Sequence, residues 1–226
     1  MRPDAAPADP PPEELEFIFR SGRVSLALCA TVGERWRRGF ERLRTPADLA
    51  RWYVQAGLAD AAIPTSQAGL RQARVLREAV YRIASALIAR RPPAPSDEAL
   101  LNAAAAVPVP VPQLRRGAAV RVVPRRGAEA AMLSLVARDA IDLFASPLSG
   151  RIRNCASSQC GLLFVDLSRP GRRRWCSSSA CGGRQRAAVY RQRRANLPVP
   201  QNPRQDSKDP SEARHGPAEA GRQSPQ

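Results

Sequence analysis

Four cysteines, Cys155, Cys160, Cys176 and Cys181, form the pattern C-x4-C-x15-C-x4-C, and the fifth, Cys29, stands far from them. Two thiols a few residues apart make a knuckle, and a second pair can close a tetrahedral cage around one ion. Met1 to Glu16 is Pro-rich and acidic rather than basic and then apolar, so secretion is not expected. Paired cysteines in such a chain read as metal ligands before disulfides. One structural Zn2+ is the expected cofactor, because four thiolates leave no open position for catalysis. An iron–sulfur cluster is the rival occupant, since four thiolates can also hold one.

The second chemical signal is charge. The chain has 226 residues and a formal net charge of +16, and 35 of its 36 basic residues are Arg. Residues 151–194 hold 11 Arg against one acid, Asp166, for a net +10. Residues 1–150 hold 21 Arg against 15 acids, and residues 195–226 are balanced. A self-repelling stretch needs a counter-charge, and Arg pairs bidentately with phosphate, which makes DNA the expected partner. A solvated basic surface or an anionic membrane face would carry the same charge. The candidate phosphate contacts are Arg172, Arg173 and Arg174, then Arg184, Arg186, Arg191, Arg193 and Arg194 on a C-terminal helix. Positions 184, 191 and 194 share one helix face, with 186 and 193 on an adjacent line. Few Asn or Gln accompany them, so sequence-specific readout is weakly supported.

The elements that must position these residues are mostly helical. After a Pro-rich lead-in over 1–14, ordered structure starts at Leu15, and Ser25–Val32 suits either strand or helix. Thr45-Pro46-Ala47-Asp48 opens a helix that stops at Gly57. A longer one runs from about Ser66 to Arg90, with Leu70, Ala73, Leu76, Val80, Ile83, Ala84 and Leu87 on one face. Another starts at Ser96-Asp97-Glu98 and ends before Pro108. The alternating prolines of Val107–Pro112 allow only a connector or sheet edge, pairing with a short strand over Ala119–Val123. Glu129–Phe144 returns to helical period, and Pro147 and Gly150 mark a boundary. In the cysteine-bearing part, Leu162–Asp166 is expected to form a hairpin with Arg172–Trp175, turning at Ser168-Arg169-Pro170-Gly171. A helix over 185–194 follows, which gives a treble-clef layout of knuckle, β-hairpin and helix. The unit has little apolar content, Trp175, Val189 and Tyr190 included, and should not fold without metal. The tail over 195–226 has too little apolar surface to fold.

The segment Arg153-Asn154-Cys155, Cys160-Gly161-Leu162-Leu163-Phe164-Val165-Asp166, Arg173-Arg174-Trp175-Cys176-Ser177 and Cys181-Gly182-Gly183-Arg184 resembles the CGNR zinc finger. Leu26, Thr31-Val32, Leu43, Thr45-Pro46, Asp48-Leu49, Trp52 and Leu101-Asn102 resemble its usual companion, the ABATE domain of stress-induced transcription regulators. Together the two cover about 17–194. The resemblance implies zinc on the four cysteines and DNA binding in transcription control. Gly183 replaces the Asn of the finger's motif, removing a side chain that could cap the helix or contact a partner.

The expected molecule is mainly α: a helical domain over 15–147 with a small β element, then the zinc finger over 151–194. A cytoplasmic DNA-binding transcription regulator is the expected function, with a small-molecule effector or assembly role for the helical domain. A zinc-stapled module for protein or RNA is the alternative. No enzyme is expected, because Asp48, Glu78, Asp139 and Asp142 read as helix-face charges without a partner base, and His215, the lone histidine, lies in the tail. No apolar run approaches the ~20 residues of a membrane span.

Overall fold

A computed structural model of the protein describes residues 9–124 and 126–195. The expected lead-in and tail lie largely outside the described residues. Of the lead-in, Pro12–Glu14 form a 3-10 turn, and Glu14 accepts a hydrogen bond from Arg38 at 2.6 Å. Among the described residues, those up to Ala188 fall in one compact unit and those from Val189 in a second.

The ambiguous stretch after Arg23 is a helix, α1 (Val24–Cys29), buried on almost every side. Its start is capped from a distance. Asp139 accepts from the Ser25 N–H at 2.9 Å, from Ser25 Oγ at 2.6 Å and from Arg23 Nε at 2.8 Å. Two short strands, β1 (Val32–Gly33) and β2 (Phe40–Glu41), pair antiparallel, with Gly33 opposite Phe40. Glycine is required there, because a Cβ would enter the Phe40 ring.

Helix α2 (Pro46–Gln55) starts as its sequence dictates: Thr45 Oγ1 accepts from the Asp48 N–H, and Asp48 accepts from the Thr45 N–H at 2.8 Å. Helix α3 (Gln67–Ile88) is capped by Ser66 and buries Leu70, Ala73, Leu76, Val80, Ile83 and Ala84, most of the stripe expected for it. Helix α4 (Pro95–Ala105) is tied to it by Arg82, whose guanidinium holds Asp97 through Nε and Nη2. Strands β3 (Val111–Arg115) and β4 (Ala118–Val122) pair antiparallel, with Pro112 opposite Arg121, so the second strand pairs with the end of the proline connector and the residues after it rather than with Val107–Pro112 as a whole. Helix α5 (Ala128–Ala145) completes the helical layer. The central core joins Leu28, Leu43, Leu49, Trp52, Tyr53, Leu70, Val80, Met132 and Val136. Trp52 and Tyr53 meet edge-to-face at 5.8 Å, both fully buried.

A 3-10 turn (Pro147–Arg151) leads into β5 (Ile152–Asn154), β6 (Leu163–Val165) and finally α6 (Cys181–Ala195). The core is continuous across this turn. Leu26, Ala84 and Leu143 from the helices pack with Ile152, Leu163 and Val165 from the strands. The Val165 N–H also donates to Ser21 O at 2.9 Å, so the segment before α1 lies along β6.

One expected pairing is corrected. β6 pairs with β5, not with Arg172–Trp175, in the register Ile152↔Val165, Arg153↔Phe164 and Asn154↔Leu163. The hairpin therefore carries the first cysteine knuckle at its tip instead of separating the two pairs. Burial decides the choice. Ile152 brings an apolar side chain to the shared core, whereas Arg172–Trp175 would bring three like charges and follows the donor-less Pro170. The returning segment makes one backbone bond to the knuckle, from Ala156 N–H to Arg174 O at 2.8 Å.

Candidate metal centre and basic surface

The β5–β6 hairpin and the start of α6 bring the four cysteines to one point. Gly161, at a φ of 64°, turns the chain sharply after Cys160, and the Cys155 N–H donates to Leu162 O at 2.9 Å. On the other side Ser177 accepts the Ala180 N–H at 3.1 Å through its hydroxyl and the Gly182 N–H at 3.0 Å through its carbonyl. Those two bonds wind the chain from Cys176 into α6, which Cys181 opens. All four Sγ atoms lie within 4.8 Å of one another. Cys160 to Cys176 and Cys176 to Cys181 are each 3.7 Å, sulfur to sulfur.

A tetrahedral zinc with thiolates at about 2.3 Å sets its sulfurs roughly 3.8 Å apart, so the residues fit one ion. Separations this short leave no room for a cluster of several irons and sulfides. Three of the sulfurs belong to buried residues, and Cys160 is half-buried. Hydrogen bonding to Cys155, reinforced by burial, pushes the Cys160 and Cys176 thiols above the usual thiol range. A divalent cation removes that constraint by stabilising the thiolates together. One structural Zn2+ is thus the cofactor of this site.

The surroundings of the cage hold it in shape. Phe164 is fully buried against Cys155, Cys176 and Cys181, together with Leu162 and with Ala30 from the helical layer. Arg173 lies over the Phe164 ring at 4.5 Å and donates to Trp175 O at 3.0 Å and Cys176 O at 3.2 Å. Asp166, the lone acid of the basic stretch, is fully buried. It accepts from Ser168 Oγ at 2.6 Å, the Ser168 N–H at 3.0 Å and the Arg173 N–H at 2.8 Å. Burial opposes its charge, but these bonds outweigh burial and hold its pKa below the usual carboxylate value. Arg184 donates to Cys181 Sγ at 3.4 Å. Sequence reasoning missed Asp166 and the role of Arg173. The signal available for both was an acid left alone among eleven arginines.

The eight candidate arginines divide into two groups. Arg173 and Arg184 serve the cage, and Arg186 donates to Ser178 O at 3.1 Å across the same turn. Arg172 and Arg174 are exposed, the latter 5.1 Å from the Trp175 ring. Arg191, Arg193 and Arg194 are exposed on the second half of α6. These five make no ion pair among the described residues. Trp175 is half-buried beside the cysteines, and Val189 and Tyr190 are exposed. A Cβ at Gly183 would meet nothing closer than 4.0 Å, so the motif's Asn would fit at this position.

The four carboxylates singled out as helix-face charges, Asp48, Glu78, Asp139 and Asp142, have structural partners. Asp48 caps α2, Glu78 binds Arg35 at 2.6 Å and Arg77 at 2.8 Å, and Asp139 and Asp142 bind Arg23. Cys29 is buried, its Sγ 3.6 Å from Arg77 O, and burial pushes its thiol up to about 12. No described helix is long and apolar enough to cross a membrane.

Comparison with protein families assigns the two parts. Residues 22–147 match the ABATE model, described as "putative stress-induced transcription regulator", and residues 151–194 match the CGNR zinc finger model. No curated protein matches the chain.

Proposed function

Because the chain belongs to the ABATE family and carries a CGNR zinc finger, we propose that it is a transcription regulator that binds DNA through the finger. The observation that carries this reading is a net +10 on 44 residues whose fold is organised by one metal cage. Phosphate is the counter-charge such a surface suits, and Arg172, Arg174, Arg191, Arg193 and Arg194 are the side chains free to meet it. Arg173, Arg184 and Arg186 contribute field and hold the frame. The helical domain would then sense an effector or mediate assembly, and the cytoplasm is where such a regulator works.

Leu167 and Tyr190, 59% and 64% exposed, favour the second reading, a zinc-stapled module for protein or RNA. One comparison separates the two. Removing a single Arg–phosphate pair lowers the salt slope of duplex binding by about 0.9. Arg172→Ala/Arg174→Ala should lower it by about 1.8 and weaken binding at least tenfold at about 0.1 M salt, with the zinc content unchanged. Unchanged affinity and slope would overturn the DNA reading. Capture of a protein that persists after nuclease treatment, without duplex binding, would establish the alternative.

A further inference from the structure

The finger does not hold all of the excess charge. Residues 99–128 contain five Arg and no acid, which accounts for five of the six net charges of residues 1–150. The rest of residues 1–150 hold 16 Arg against 15 acids, and many are paired, as in Arg23–Asp139, Arg35–Glu78, Arg77–Glu41 and Arg82–Asp97. By contrast, Arg115, Arg116, Arg121 and Arg126 form no ion pair among the described residues.

The first three sit on the β3–β4 ribbon. Every residue of β3 is exposed, and on β4 Val120 and Val122 are half-buried while the rest are exposed. Arg116 and Gly117, at φ 50° and 79°, form the two-residue turn with both central residues left-handed that suits a tight hairpin. Arg115 and Arg116 are thereby fixed at the tip. The base is anchored, since Arg121 Nη1 donates to Gly57 O at 2.7 Å and Val123 packs on the central core. The strand facing β3 is slim, with Ala118 and Ala119 beside the tip, and Leu114 there is 79% exposed.

An isolated two-stranded ribbon is marginal in water, and this one leaves apolar and cationic side chains without cover. A two-stranded ribbon fits a DNA groove, and a cationic tip suits the phosphates that line it. We propose that the β3–β4 ribbon is a second contact to duplex DNA, with Arg115 and Arg116 as its phosphate-binding residues. This deepens the DNA reading above and rests on it for the partner, though not for the residues. The chain then holds duplex DNA at two separate places in its sequence, the finger and the ribbon.

The test is a salt titration of binding to a short duplex, using the zinc-loaded full chain. Arg115→Ala/Arg116→Ala should lower the salt slope by about 1.8 and weaken binding at least tenfold at about 0.1 M salt. Circular dichroism should show its fold unchanged, because both side chains are exposed. The control is Arg90→Ala/Arg91→Ala, which removes the same charge from another exposed site and should leave the slope unaltered. An equal loss in that control would reduce the effect to bulk charge and overturn the proposal. Normal binding by the ribbon variant, with loss in Arg172→Ala/Arg174→Ala, would overturn the ribbon contact and leave the finger reading standing. The reverse pattern would support the ribbon and overturn the finger contact. No salt-dependent duplex binding by the wild type would overturn both.

Discussion

Stripping zinc from the protein should unfold far more than the finger. A chelator, or Cys176→Ser, is expected to abolish hydrogen-exchange protection in α1 and the C-terminal halves of α3 and α5, and to cut helical circular dichroism well beyond the share of α6. The reason is the shared core. Leu26, Ala84 and Leu143 are buried against Ile152, Leu163 and Val165, and Ala30 lies in the same cluster as three of the cysteines. Each fully buried aliphatic side chain stabilises by about 1.5–3 kcal/mol, so exposing Leu26 and Leu143 alone costs roughly 3–6 kcal/mol. That is a large part of the 5–15 kcal/mol typical of a whole domain. A structural zinc contributes about 10–16 kcal/mol of binding free energy, which the apo chain cannot replace. Full protection of α1 in the chelated protein would show instead that the helical layer stands alone.

Phe164→Ala should be the most damaging single substitution in the finger outside the cysteines. The ring is fully buried and carries Arg173 on its face at 4.5 Å. Truncating a buried Phe costs about 3–5 kcal/mol. Here the truncation also frees the guanidinium that fixes the Trp175 and Cys176 carbonyls, so the cage loosens with the core. The expected result is a lowered melting temperature together with at least tenfold weaker zinc retention against a competing chelator. Phe164→Leu, which keeps an apolar side chain but not the aromatic platform, should recover most of the stability and less of the zinc retention. Equal zinc retention in all three proteins would remove Phe164 from any role in the cage. Tyr190→Ala, at an exposed position, should leave both quantities unchanged.

What the sequence made legible follows from the range of the forces involved. The α2 cap, the buried stripe of α3 and the cysteine spacing are local patterns, and the structure has them where Thr45, Leu70 and Cys155 place them. The start of α1 is not local. Its cap is Asp139, 114 residues away from Ser25, and no window around Leu26 contains it. The finger's hairpin was misplaced for a related reason. Leu162–Asp166 looks like a strand on its own, but its partner is chosen by the core that Ile152 shares with Leu26 and Leu143. The same holds for the arginines. Arg172, Arg173 and Arg174 are indistinguishable as letters, yet Phe164 and the carbonyls of Trp175 and Cys176 commit the middle one to structure. Charge identified the surface. Packing selected which of its charges remain available.

The central claim is that a zinc-organised basic surface binds duplex DNA, and the dependence of affinity on salt tests it most directly. Five arginines of the finger that make no ion pair among the described residues, each neutralising one phosphate, predict that log affinity falls with log salt at a slope of about −4.5. Any contact made by the ribbon steepens it. The zinc-loaded protein should show this slope and the chelated protein should lose it. A slope near zero in the zinc-loaded protein, or the same slope with and without zinc, would contradict the account.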